Sequence, residues 1–179
     1  MPSAGIGSKV VELGSVPGTG TTKTYWFYAN DNATVAAPIV HGAGSATTFL
    51  TNNSLGTRTF AYNPRSKPNV WNPVTGKFDF TSLKIGDIIN FRVDLVIDHA
   101  AAQELNLIMS LAEGEAAPYE LNLAHEYYKT ASTNVTVTAF FKLPFIGQQT
   151  VDGGARIRFS SIAAASIVVE GWFYEITEV

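Results

Sequence analysis

Asn69-Val70-Trp71-Asn72-Pro73-Val74-Thr75-Gly76-Lys77-Phe78-Asp79-Phe80-Thr81-Ser82-Leu83-Lys84-Ile85-Gly86-Asp87-Ile88-Ile89-Asn90-Phe91-Arg92-Val93-Asp94-Leu95-Val96-Ile97 reads as a turn, a short strand, a second turn and a long strand. Thr75-Gly76 suits a tight turn, because glycine adopts positive φ at no steric cost. Phe78 and Phe80 then fall on one face. Gly86 reverses the chain again. Beyond it Ile89, Phe91, Val93, Leu95 and Ile97 alternate with Asn90, Arg92, Asp94, Val96 and Asp98. A strict period of two over ten residues predicts a half-buried antiparallel strand.

The same alternation recurs outward from this stretch. Leu105, Leu107, Met109 and Leu111 predict a further strand. Val135, Val137, Ala139, Phe141 and Leu143 predict another, with Thr136 and Thr138 facing out. Residues 155–161 follow the turn Asp152-Gly153-Gly154, and 167–176 close the chain. Near the start, 22–28 places Tyr25 and Phe27 on one face and Trp26 and Tyr28 on the other, so both faces are expected to be covered. A second short strand is expected at 35–40, and residues 41–72 alternate turn formers with short apolar runs at 47–50 and 57–62. Residues 100–105 and 119–129 have room for a turn or two of helix, but neither keeps a 3.6-residue period. Many short strands with closely spaced turns predict an all-β antiparallel β-sandwich over 22–179. Residues 1–21, rich in Gly, Ser, Thr and Pro, read as a flexible N-terminal arm.

The 179 residues suit one domain, since a chain of this size buries about 70% of its unfolded surface without staples. The chain is 46% hydrophobic and 15% charged, against roughly 25% charged for an average domain. That deficit suggests apolar surface covered by other subunits. A net charge of −3 offers nucleic acid and anionic membranes no attraction. The absence of cysteine excludes disulfides and thiolate metal sites. Met1-Pro2-Ser3-Ala4-Gly5 does not read as a secretory signal, and no apolar run approaches the roughly 18 residues of a membrane span.

Trp71-Asn72-Pro73-Val74-Thr75-Gly76-Lys77-Phe78 resembles the aromatic-x-Pro-x-Thr-Gly-x-Phe strand start of the C1q/TNF-like jelly rolls. Ile85-Gly86-Asp87 stands where that family has its Pro-Gly turn, and the alternating strand follows. Gly171-Trp172-Phe173-Tyr174, inside 166–176, is similar to the family's last strand, with its glycine before aromatics. The resemblance covers residues 60–179. Unlike the animal members, these residues hold no Gly-x-y repeat and no cysteine, and their start does not read as a secretory signal. The chain is closer in kind to the jelly rolls that tailed bacteriophages use as virion proteins. The resemblance implies a homotrimeric capsid decoration or cement protein that stabilises the capsid, assembled in the bacterial cytoplasm and located on the virion. Its partners would be capsid or other virion proteins. Trp71, Phe78, Phe91, Gly171, Trp172, Phe173 and Tyr174 are then expected at the trimer interface or in packing. The alternative is a receptor- or carbohydrate-binding head of a tail or fibre, with loops 98–104 and 112–134 meeting a host saccharide.

Catalytic groups are sparse. Gly18-Thr19-Gly20-Thr21-Thr22-Lys23 lacks the phosphate-loop spacing and a strand before it. His125-Glu126 lacks a second histidine four residues on, so it is no zinc-protease motif. His99 follows Asp98 and could share a metal or a proton with it, against the commoner reading of a surface-loop histidine; His41 is the remaining histidine. Glu113, Glu115 and Glu120 could pair for glycoside hydrolysis or bind Ca²⁺, against the simpler reading of a solvated loop. Trp26, Tyr28, Trp71, Trp172 and Tyr174 could stack on sugars. Burial alone, at about 1.5–3 kcal/mol each, accounts for such aromatics. The reading is therefore a binding or structural protein, not an enzyme, with no catalytic residue, cofactor or metal assigned.

Overall fold

The computed structural model describes residues 23–57, 60–62, 69–116, 118–145 and 147–178. The expected arm, 1–21, lies outside these residues. Twelve strands are described: β1 (Lys23–Asn30), β2 (Ile39–His41), β3 (Thr48–Phe49), β4 (Phe60–Tyr62), β5 (Trp71–Asn72), β6 (Lys77–Phe78), β7 (Ile88–His99), β8 (Gln103–Leu111), β9 (Tyr119–Tyr128), β10 (Ser132–Pro144), β11 (Ala155–Ser161) and β12 (Ala165–Glu178). Two short helices, α1 (Ala33–Ala36) and α2 (Gln148–Gly153), interrupt them.

The strands form two six-stranded antiparallel sheets. The first has the order β10-β7-β12-β1-β4, with β2 also on β12. The second has the order β5-β6-β11-β8-β9, with β3 also on β11. From β6 onward the chain crosses between sheets at every step except the β8-β9 hairpin. The last strand, β12, inserts between β1 and β7, and β11 inserts between β6 and β8. This double Greek key is a jelly roll.

The alternation read from the sequence sets the core. Ile89, Phe91, Val93, Leu95 and Ile97 of β7 are all buried, as are Leu105, Leu107, Met109 and Leu111 of β8. The Thr75-Gly76 turn has Gly76 at φ 61°, and Gly86 sits at φ 102°. Phe78 stands at the centre, with rings of Trp71, Phe91, Tyr174 and Phe80 at 4.7, 5.1, 5.9 and 6.2 Å. Trp71 also donates its indole N–H to the Asn52 carbonyl at 2.9 Å. Tyr174 donates its hydroxyl to Asn69, and burial pushes its pKa up.

Three expectations are corrected. Residues 35–40 are not one strand. Asp31 accepts from the Thr34 N–H at 2.6 Å and from its hydroxyl at 2.8 Å, which folds the chain into α1 before β2. Val169 then donates its N–H to Thr34 Oγ1 at 2.9 Å, tying this turn to β12. The helical turns allowed at 100–105 and 119–129 are absent, because residues 103–111 and 119–128 pair as a β8-β9 hairpin. Its register shifts between Leu107 and Ile108, so β9 does not keep a strict alternation.

Candidate functional site

The residues expected at a trimer interface or in packing are mostly inside the chain. Trp71, Phe78, Phe91, Trp172 and Tyr174 are buried in the monomer's own core. Gly171 sits at the β12 bulge. A Cβ there would stand 2.9 Å from the Ala29 carbonyl oxygen, so its missing side chain admits β1 of the same chain. Phe173 alone faces outward, its ring 6.3 Å from that of Tyr28.

Two surface features among the described residues arise directly from topology. The first is an open flank. β9 and β10 are the last strands of their sheets on the same side of the sandwich, and they approach each other there. Seven hydrophobic residues among those described pack on the core while only partly buried. Six of them lie on these two strands: Leu121, Leu123, Ala124, Tyr128, Val135 and Phe141. On the outer faces of the same strands Tyr127 and Phe140 are 62% and 71% exposed, and the Arg92 guanidinium lies 5.9 Å from the Phe140 ring centre. Each strand also leaves a backbone edge without a strand partner among the described residues. Exposed edges of this length, 10 and 13 residues, are normally protected by charge, bulges or cover.

The second feature is a polar cleft of about 460 Å³ on the outer face of the first sheet. It lies where the end of β1, helix α1, residues 56–57, β7 and the β12 bulge converge. Arg92 and Asp94 form one wall. The guanidinium donates from Nε to Asp94 Oδ1 at 3.0 Å and pairs through Nη2 with Oδ2 at 2.9 Å. Thr138 adds a hydroxyl bond to Asp94 at 3.0 Å. The hydrogen bond to Asp94 raises the Arg92 pKa further. Tyr28 and Glu170 form the other wall. Asn30 holds them together, donating its amide to the Glu170 carbonyl at 2.8 Å and to the Tyr28 hydroxyl at 3.4 Å.

The three histidines, and Glu113 and Glu120 among the carboxylates singled out from the sequence, have other partners. Glu113 and Glu120 both pair with Arg158. Burial raises the Glu113 pKa, but the Ser110 hydroxyl and Arg158 outweigh it and leave it lowered. Arg156 and Arg158 in turn lie 4.8 and 4.7 Å from the Phe49 ring centre. His41 bridges Thr48 Oγ1 at 2.8 Å and the Ser161 carbonyl at 3.0 Å. His99 contacts the Ala101 carbonyl at 3.0 Å, and His125 contacts Asn106 at 2.7 Å. No group of three or more His, Asp or Glu suited to a metal occurs among the described residues. The saccharide loops expected at 98–104 and 112–134 are largely strand, since β8 starts at Gln103 and β9 fills Tyr119–Tyr128.

No family model matches this chain, and no curated protein matches it. Solved structures resemble it at low identity. The structure of infectious bursal disease virus Gx strain aligns with a TM-score of 0.42 at 12% identity, over 99% of this chain and 37% of that one. The T=1 particles derived from the same virus give 0.43 at 13%, over 99% and 36%. A Clostridium thermocellum endo-1,4-beta-D-xylanase, its CBM22-1–GH10 modules complexed with xylohexaose, gives 0.41 at 11%, over 86% and 28%. The chain thus spans little more than a third of the viral chains it aligns with. The strand order alone establishes the jelly-roll sandwich.

Proposed function

We infer that this chain is a structural virion protein of a bacteriophage, a C1q/TNF-like jelly roll that assembles as a homotrimer and decorates the capsid. The observation that carries the reading is the open β9-β10 flank. Its half-covered Leu121, Leu123, Val135 and Phe141 continue the core outward. Aromatic and aliphatic surface of this kind, beside unpaired strand edges, matches the apolar centre of a permanent subunit contact. The occupant is a second copy of the same chain, as the sequence resemblance implies. Covering this flank also removes the edge that would otherwise template aggregation. The role is mechanical: trimers bind capsid subunits and stabilise the shell by mass action.

Light scattering after size-exclusion chromatography is expected to give a mass of three chains. Tyr127→Glu and Leu123→Glu place charges in the contact and are expected to give single chains. Tyr127 is exposed in the monomer, so its variant keeps the fold. A wild-type mass of one chain would overturn the trimer. Two variants that stay trimeric would move the interface elsewhere.

Capsid attachment is assigned to the arm, residues 1–21, which gains contacts on binding at an entropic cost. Deleting residues 2–20 is expected to abolish binding to capsids in a co-sedimentation assay. The trimeric mass is expected to persist. Undiminished co-sedimentation would rule the arm out.

A further inference from the structure

We propose that the cleft on the outer face of the first sheet is a binding site for a neutral saccharide, separate from the assembly flank. Its volume, about 460 Å³, falls in the ~300–1,000 Å³ range of small-molecule sites. One wall presents the Tyr28 ring, the kind of surface on which the apolar face of a pyranose stacks. Opposite charges flank it. Arg92 supplies donors beyond those committed to Asp94, because a guanidinium carries five N–H groups, and its side chain is 45% exposed. Glu170, exposed on the β12 bulge, supplies acceptors. Vicinal hydroxyls both donate and accept, so they satisfy an arginine and a carboxylate together.

The electrostatics narrow the ligand class. Asp31, Asp94 and Glu170 outnumber Arg92 in the lining, which disfavours phosphates, acidic sugars and nucleic acid. A cation fares no better. The Asp31 carboxylate accepts from Thr34 and from the Asn53 N–H at 2.7 Å. Asp94 accepts from Arg92 and Thr138. Glu170 is the one lining carboxylate outside these bonds, and a single carboxylate is a poor match for a hard cation that takes six or more oxygens. The framework is held in place before any ligand arrives. Asn30, Asp31, Asp94 and Thr138 are tied by hydrogen bonds within the chain, which limits the ordering cost of binding.

The test uses the full chain on an array of neutral and acidic oligosaccharides. Calorimetric titration follows, with the neutral glycan that gives the strongest signal. Binding is expected among neutral glycans. Glu170→Gln, at an exposed position, and Tyr28→Ala are each expected to weaken it about tenfold or more, the equivalent of one charge-assisted contact. Tyr127→Glu, on the flank, is expected to leave affinity per chain unchanged, even where it dissociates the trimer. A blank array, signals confined to acidic glycans, or affinity indifferent to both cleft variants would overturn the proposal. So would loss of binding in Tyr127→Glu.

Discussion

Phe78→Ala is expected to lower unfolding free energy by about 3–5 kcal/mol, the range for emptying a phenylalanine site in a closed core. Two reasons place it at the upper end. The side chain is fully buried. Its ring meets four others, from Trp71, Phe80, Phe91 and Tyr174, and aromatic pairs contribute about 0.5–1.5 kcal/mol beyond their area. A domain holds only about 5–15 kcal/mol in total, so the variant should be near the limit of folding. Urea titration at one fixed protein concentration measures this, since subunit association makes stability concentration-dependent. Ile162→Ala is the control. Ile162 is 75% exposed and lies off the β9-β10 flank, and its loss should fall within about 0.5 kcal/mol. A Phe78→Ala cost below about 1 kcal/mol would mean that the aromatic centre lies elsewhere.

Phe78 also shows what the sequence could reveal. Its place one turn after Thr75-Gly76 and two residues before Phe80 marks it as core, and the long β7 alternation marks the sheet it packs on. Such features are local, because period two and turn chemistry are written in neighbouring residues. β9 was illegible for a physical reason. It is an edge strand with only partial cover on its inner face and a register shift at Leu107/Ile108. No clean apolar stripe therefore forms, and helix and strand look alike. Reading Leu121 and Leu123, alternating with Glu120 and Asn122, as half a stripe is the signal that would have identified it. The residues expected at a trimer interface or in packing could not be sorted between the two for a related reason. Aromatic density marks burial, and sequence alone does not tell burial within one chain from burial between chains.

The cleft was illegible altogether. Tyr28, Asn30, Arg92, Asp94 and Glu170 come from three strands distant in sequence. They meet because β12 inserts between β1 and β7, which puts Tyr28 opposite Phe173, and Phe173 opposite Arg92. Glu170 owes its position to the bulge between Val169 and Gly171. A motif search reads contiguous residues, and here the site is a property of strand order.

Gly154→Ala is expected to have the second large effect, and it tests the backbone rather than the core. Gly154 has φ 64° and ψ −156°, a region that is essentially closed to residues with a side chain. Strain there costs on the order of 1–3 kcal/mol. Space adds a second penalty. A Cβ would stand 2.1 Å from the Phe78 carbonyl oxygen, closer than any real contact. The adjoining bonds forbid an easy shift. Gly154 donates its N–H to the Thr150 carbonyl at 3.1 Å and accepts from the Ala112 N–H at 2.9 Å, while the next residue, Ala155, pairs with Phe78. Relief would have to push β6 off β11, and the Phe78 ring with it. The sum is expected to exceed about 4 kcal/mol, in the exceptional range for one substitution, and to appear as insoluble or unfolded protein. Two other glycines separate the causes. Gly114 has φ 97° with nothing within 4 Å of a Cβ, so Gly114→Ala should show the backbone penalty alone, about 1–2 kcal/mol. Gly147 has φ −147° and open space, so Gly147→Ala should be neutral within about 0.5 kcal/mol. Thermal unfolding of the three variants should therefore rank Gly147→Ala, Gly114→Ala and Gly154→Ala in rising cost. Equal costs for Gly114→Ala and Gly154→Ala would show that β6 yields freely, and that the contact between β6 and β11 does not fix the Trp71–Phe78 turn.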